Sequence, residues 1–529
     1  MSSPALPELA HTPVGHIPVI HSTLVRSFAA HLTRPLSFRL TQLRKLYWAI
    51  KDHEKELLEA CKRDLGKPYY ETYLTEINWC LNDIIFVCKN LESWAREEKA
   101  KDIPLMHAVT RPKIRKEPLG AVLVIGAFNF PYQLSLGPLV GAIAAGCTAV
   151  LKPSENAPYA AAMMQRIIAE RLDSSAYTVV QGAIPETTAL LDCKWDKIFY
   201  TGSATVGTII SKKAAETLTP VTLELGGRNP AIVTRNADMR LAARRLLWTK
   251  HMNAGQICVS QNYILIDKEV LPTFLEQLKV AIKDFYPNGV RESEDYGRIV
   301  NEKQWQRIKK MLDSTSGKIL IGGTMDAETK YLEPTVVEVT DPNDSLLTEE
   351  SFGPLIPVVP VSDLDEAIRL ANTIHATPLG IYPFGSKAEV SKILDSTRSG
   401  GASINDGFYH ASISTLEFGG VGDSGSGSYR GKASFDAFTH RRVVTSTPGW
   451  VEGLLSIRYP PYKGKMEKVK KMSEMKPDFD REGRVVKPGW LVWAFLLGGN
   501  GFVQGLGRWA VILAVVFGYR GLRERQSKL

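Results

Sequence analysis

The chain has 529 residues, 44% of them hydrophobic and 23% charged, which excludes a disordered protein and makes two or three domains the expectation. Its six cysteines (Cys61, Cys80, Cys88, Cys147, Cys193, Cys258) form no C-x-x-C pair and its ten histidines no H-E-x-x-H, so neither a disulfide framework nor a metal is implied. The net charge of +9 is uneven: 14 Lys/Arg against 6 Asp/Glu lie from Lys463 onward, which leaves residues 1–462 near +1 and makes a membrane surface, not nucleic acid, the expected partner of the tail.

Residues 1–22 hold Pro4, Pro7, Pro13 and Pro18 without periodicity and are expected to be a loose arm, and no secretory leader is visible. From Thr23 to Glu98 the spacing is helical; Leu36, Leu40, Leu43, Tyr47 and Ile50 fall on one face. Segment 102–117, with Pro104, Pro112 and mixed charge, reads as an excursion. Between 118 and 225 short apolar runs (Ala121–Ile125, Ala149–Leu151, Tyr177–Val180, Ile198–Tyr200, Val221–Leu223) alternate with helical stretches (Leu139–Ala145, Tyr159–Arg171, Glu186–Leu191, Val206–Thr217). That alternation predicts an α/β, doubly wound parallel sheet whose ligands bind at loops after Ile125, Leu151 and Tyr200. A second α/β region is predicted over 226–431, with strand-like runs at Tyr263–Ile266, Lys318–Ile321 and Leu355–Val361.

Two short segments carry the chemistry: Glu224-Leu225-Gly226-Gly227 and Asn253-Ala254-Gly255-Gln256-Ile257-Cys258, which place the carboxylate 34 residues ahead of the cysteine. A cysteine attacks a carbonyl as its thiolate, and a carboxylate can later draw a proton from the water that hydrolyses the thioester. With Gly126-Ala127-Phe128-Asn129-Phe130-Pro131, Lys152-Pro153-Ser154-Glu155, Gly202-Ser203-x-x-x-Gly207, Glu350-Ser351-Phe352-Gly353-Pro354 and Phe418-Gly419-Gly420-Val421-Gly422-Asp423-Ser424-Gly425, these blocks make residues 23–450 resemble an aldehyde dehydrogenase. The block Thr33-Arg34-Pro35-Leu36-Ser37-Phe38-Arg39 resembles the class 3 type in particular, and the chain as a whole most resembles the membrane-associated fatty aldehyde dehydrogenases.

The resemblance implies roles. Cys258 is expected as nucleophile, Glu224 as the base for deacylation, and the Asn129 amide with the Cys258 N–H as the oxyanion site. Lys152 and Glu155 are expected at the adenosine ribose, Gly202, Ser203 and Gly207 at the pyrophosphate, Glu350 at the nicotinamide ribose and Phe352 against its ring. NAD is the expected cofactor, with NADP possible, since class 3 members can use both. The implied domains are an NAD-binding domain at 23–101 and 118–225, a catalytic domain at 226–431 and oligomerisation elements at 102–117 and 432–450. A basic linker at 451–488 and a membrane-associated tail at 489–529 follow. Pairing of the arm near Asp102–Lys116 and the stretch Phe438–Thr447 across subunits would make a homodimer.

In the tail, Gly489–Gly507 carries no charge over 19 residues but includes six glycines; Arg508 and eleven more uncharged residues, Trp509–Tyr519, follow. A span, a re-entrant hairpin and an interfacial segment all fit. The terminal Ser527-Lys528-Leu529 matches a peroxisomal address, with the endoplasmic reticulum the alternative for a cytosol-facing membrane protein. The expected reaction is NAD-dependent oxidation of medium- to long-chain aliphatic aldehydes to acids. The rivals are a dehydrogenase of short soluble aldehydes or semialdehydes, and a catalytically idle scaffold.

Overall fold

The computed structural model describes residues 4–475, 477–486, 508–513 and 517. Residues 1–445 make one compact body and 446–529 a second unit. The first body is built on two sheets. In the first, five parallel strands lie in the order Val221–Leu225, Lys197–Gly202, Ala121–Ile125, Thr148–Lys152, Tyr177–Val179. A short strand, Gly425–Ser426, adds antiparallel to Val221–Leu225 and sets Gly425 opposite Glu224. The doubly wound sheet is therefore present, with each predicted strand within two residues of its expected bounds.

Its apolar runs are buried on both sides because helices cover both faces. Val122 and Val124 pack on the side of the helices Leu36–Asp52, Gln133–Ala145 and Pro158–Arg171, and Ala121, Leu123 and Ile125 face the other way. That alternation is the two-residue period of a strand expressed in packing.

Two expectations change here. The N-terminal arm is not loose: Ile17–Ala29 is a helix with Ile17 and Leu24 buried in the same cluster as Leu123 and Trp195. Ahead of it, Thr12 exchanges hydrogen bonds with the Gln181 backbone at 2.9 and 3.0 Å. The helix Leu36–Asp52 is also rotated from its predicted stripe, burying Arg39, Leu43, Leu46 and Ile50 and leaving Leu36, Leu40 and Tyr47 only partly covered. Arg39 accounts for the shift, since its guanidinium donates to the carbonyls of Thr33, Arg34 and Ala144 at 2.8–3.2 Å. Apolar periodicity does not register a buried cation that satisfies terminal helix carbonyls.

The second sheet has seven strands in the order Lys318–Ile321, Thr335–Glu338, Leu355–Val361, Gln261–Asp267, Asn229–Val233, Gly380–Phe384, Gly401–Ala402. All neighbours are parallel except the first pair. Asn229–Val233 and Gly380–Phe384 escape sequence reading because Pro230 and Pro383 argue against a central strand.

The excursion and the stretch after the second domain meet within the chain. Lys113–Pro118 pairs antiparallel with Thr439–Val444 and, on its other side, with Glu98–Lys99. The two segments thus pair with each other in a three-stranded sheet of one chain, which leaves Thr439–Val444 at its edge.

In the second unit, short helices at Glu452–Leu455 and Met466–Ser473 occupy the expected linker. The predicted tail falls almost wholly outside the described residues, among which no helix is long and apolar enough to cross a membrane.

Gly425 has φ of 142°, and a Cβ there would meet the Leu223 carbonyl oxygen at 2.1 Å. Gly425→Ala is expected to lose at least about 2 kcal/mol of stability through backbone strain and a broken ladder next to Glu224. Urea unfolding checks this, and a midpoint equal to wild type would refute it.

Candidate active site

The polar groups of the site sit on loops beyond the carboxyl ends of the first sheet, where a doubly wound fold binds ligands. Asn129 lies in the loop between Ala121–Ile125 and the helix Gln133–Ala145 and is 2% exposed. Its side-chain amide donates to the Gln256 carbonyl at 3.0 Å, and its own carbonyl accepts from the Asn253 amide at 2.8 Å. The loop that leads to Cys258 is strained: Asn253 and Ala254 both have φ of 50°, a left-handed conformation unusual outside glycine. Gly255, at φ 76°, packs so closely that a Cβ would meet the Gly353 oxygen at 2.3 Å.

Side chains hold that loop in place. Gln256 donates to the carbonyls of Asn253 (3.0 Å) and Arg298 (2.9 Å) and accepts from the Val300 N–H at 3.0 Å. Asn229 donates to the carbonyls of Cys258 (2.7 Å) and Ser260 (2.9 Å) and accepts from the Gly380 N–H at 2.9 Å. Cys258 is therefore fixed through its own backbone from the second sheet.

Glu224 is 3% exposed on Val221–Leu225, and neither carboxyl oxygen has a hydrogen-bond partner among the described residues. Burial alone pushes its carboxyl well above the ordinary range. The Cys258 thiol is pushed up to about 12, first by burial and then by the charges of Glu350 and Glu224. Glu350 is itself raised to about 7 by burial, against the pull of Lys250, Arg307 and the Gly227 N–H. Gly226 makes this crowding possible, because a Cβ there would lie 2.2 Å from a Glu350 carboxyl oxygen.

Cys258 lies on the wall of a pocket lined mainly by apolar and aromatic side chains, among them Trp79, Phe130, Leu134, Ile257, Phe408 and Phe418. Tyr429, also on the wall, accepts from the Gln133 amide at 3.4 Å. A second group of predicted residues lies along the same sheet edge. Lys152 and Glu155 form an ion pair at 2.9 Å at the end of Thr148–Lys152. Gly202 ends the strand Lys197–Gly202, and Ser203 caps the helix Ala204–Ala215 by accepting from the Val206 N–H at 3.4 Å. Gly207 presses on Leu225, where a Cβ would come within 2.9 Å. The Phe128 and Phe352 rings meet edge to face at 5.8 Å.

An open helix N-terminus, a nearby lysine and carboxylate, and the exposed apolar side chains of Val206 and Ile209 suit the pyrophosphate, ribose and adenine of a dinucleotide. The residues present fit NAD(P).

The sequence profile described as "Aldehyde dehydrogenase family" matches residues 25–444. The chain belongs to the aldehyde dehydrogenase family. It is an oxidoreductase that oxidises aldehydes with NAD(P). A protein of Neurospora crassa named "Beta-apo-4'-carotenal oxygenase" is 53% identical over 507 residues, covering 95% of each chain. "Aldehyde dehydrogenase, dimeric NADP-preferring" of Canis lupus familiaris is 42% identical over 83% of this chain and 96% of its own length. The solved "Substrate bound state of Staphylococcus Aureus AldH" superposes with a TM-score of 0.84 at 39% identity, over 86% of this chain and 99% of that one.

Within this family member the structure brings Cys258, Glu224 and Glu350 into one electrostatic group and ties Asn129 to the cysteine loop through Gln256. Lys152, Glu155, Gly202, Ser203 and Gly207 form the separate group on the sheet edge. Sequence reading missed Asn229, Gln256, Trp79 and Tyr429. The first two stand inside or next to motifs already recognised, and an amide beside Gly226-Gly227 or inside the cysteine block was the available signal. Trp79 and Tyr429 lie far from Cys258 in sequence and left none.

Because the Glu350 charge raises the Cys258 thiol, Glu350→Gln is expected to lower that pKa, so the cysteine alkylates faster at pH 8. Iodoacetamide labelling of Cys258 followed by mass spectrometry measures this, and an equal or slower rate in the variant would contradict the coupling.

Proposed function

We propose that Cys258 is the nucleophile, Asn129 an oxyanion donor and Glu224 the general base in the oxidation of long apolar aldehydes. The observation that carries this reading is the position of Cys258 on the wall of an apolar, aromatic cavity, with Glu224 buried within electrostatic reach and Asn129 joined to its loop.

The Cys258 sulfur, as thiolate, adds to the aldehyde carbon, and the carbonyl oxygen becomes an oxyanion held by the Asn129 amide and the Cys258 N–H. Removing one such donor costs roughly 10²–10³ in rate. The cofactor supplies one piece of chemistry, acceptance of the hydride and its two electrons from that carbon. Lys152, Glu155, Ser203 and Glu350 would hold it, and Phe352 would pack against its ring. The thioester left on Cys258 is attacked by water, whose proton passes to the Glu224 carboxylate. The carbon–sulfur bond then breaks, the acid leaves and the thiolate returns. Glu224 serves as a base only when ionised, and its burial opposes that state, so entry of water to the site precedes the step.

The apolar wall suits two kinds of long aldehyde. Saturated fatty aldehydes match the lining alone. Polyene aldehydes match the lining and also the Neurospora crassa relative, which is named for a carotenal and aligns through 95% of this chain. Glu155, through repulsion of a 2′-phosphate, favours NAD over NADP.

The membrane is part of the same reading. On the helix Met466–Ser473, Met466, Val469 and Met472 recur three residues apart and are exposed, beside Lys468, Lys470 and Lys471. A basic amphipathic helix of this kind lies on anionic lipid. A homodimer fits the edge strand Thr439–Val444, where Val443 is 69% exposed, and fits the canine relative, named dimeric.

NADH formation by the full-length protein is measured with hexadecanal, with a long polyene aldehyde and with propanal, beside a Cys258→Ala control. A kcat/KM for both long aldehydes at least tenfold above that for propanal is expected, with no activity in the control. Preference for propanal would sink the substrate assignment, and activity in Cys258→Ala would sink the nucleophile.

A further inference from the structure

One short segment, Lys67–Glu76, touches both loops of the proposed site. The Glu71 carboxylate accepts from the Asn253 N–H at 2.9 Å, at the strained turn that precedes Cys258. Five residues on, the Glu76 carboxylate accepts from the N–H groups of Tyr132 (2.8 Å) and Gln133 (3.5 Å), just beyond Asn129-Phe130-Pro131. The other Glu76 oxygen pairs with the Lys67 ammonium at 2.8 Å, with both side chains wholly buried. That ammonium in turn stands 4.0 Å over the Phe130 ring. The same segment reaches the cavity, since Thr75 and, a little further on, Trp79 lie on its wall.

The backbone explains how two carboxylates five residues apart serve neighbouring loops. In an α-helix five residues subtend a rotation of roughly 140° beyond one full turn, which would send the two side chains apart. Here Tyr73–Ile77 is a turn of π-helix, with the Asn78 N–H bonded to the Tyr73 carbonyl. The wider turn underwinds the chain and narrows that angle, a deviation that recurs at functional sites.

The two loops are also bonded to each other, through Asn129 to the Gln256 carbonyl and through Asn253 to the Asn129 carbonyl. Their mutual placement sets where the Asn129 amide stands relative to the Cys258 N–H. We propose that Glu71 and Glu76 are positioning residues that hold the Asn129 loop and the Cys258 loop in register, so that both oxyanion donors meet the same oxygen. Glu76 anchors the first loop and Glu71 the second, on one rigid segment. Misplacement by about 1 Å costs on the order of 10²-fold in rate, which is the scale such a brace protects. The inference rests on the roles of Cys258 and Asn129 proposed above.

The test compares Glu71→Ala, Glu71→Gln and Glu71→Asp in the full-length protein, with Cys258→Ala alongside. Glutamine keeps an acceptor oxygen at the same reach, whereas alanine removes it and aspartate falls short. The expected result is a fall of about tenfold or more in kcat for Glu71→Ala and Glu71→Asp. The KM for aldehyde and NAD should stay within about twofold, and Glu71→Gln within about threefold of wild type in kcat. Melting temperatures of Glu71→Asp and Glu71→Gln should agree, so that their activities separate positioning from folding should Glu71→Ala prove unstable. Equal kcat in Glu71→Asp and Glu71→Gln, or losses carried by KM, would overturn the brace. Activity in Cys258→Ala would instead overturn the nucleophile assignment on which it rests.

Discussion

The site is governed by the competition of three acids for one dry space. Burial raises a thiol and two carboxyls, Cys258, Glu224 and Glu350, and the two carboxylate charges raise the thiol further. In such a dry medium like charges repel strongly, so ionising the thiol beside either carboxylate is unfavourable. In the mechanism proposed above, sulfur is anionic for attack and the carboxylate for hydrolysis, so the two demands fall at different steps. Lys250, whose own pKa is lowered to about 7 by burial, interacts with Glu350, so nearby positive charge is directed at the carboxylate assigned to cofactor binding.

Rigid strands and strained loops divide the work. Glu224 rides on a strand with neighbours on both sides, Thr201 in parallel register and Gly425 antiparallel. Cys258 follows a turn with two non-glycine residues in the left-handed region, a conformation that persists only where its surroundings over-determine it. Asn229, Gln256 and Glu71 supply that determination through hydrogen bonds from three separate parts of the chain. That strained turn leads directly into Cys258.

The first sheet was almost wholly legible, because five short apolar runs alternating with helical stretches leave few other folds. The second was half legible. Lys318–Ile321 and Leu355–Val361 read as strands, whereas Pro230 and Pro383 disguised central strands whose ladders run past them. The motif residues were legible through their blocks, and the structure places them in two groups along one sheet edge. What sequence could not disclose is long-range support. Arg39 buried against helix carbonyls, Glu71 beneath the Asn253 turn and Tyr429 on the cavity wall depend on contacts between residues more than a hundred positions apart. Periodicity and motif spacing carry no information at that range.

The small strand Gly425–Ser426 gives the architecture a temporal side. It completes the first sheet, yet it is made only after every strand of the second sheet has left the ribosome. Until then Val221–Leu225, which carries Glu224, presents a bare edge that invites pairing with another chain. Biosynthesis of this enzyme therefore holds its first domain open for some two hundred residues of translation. A stalled or truncated chain would leave that edge unpaired.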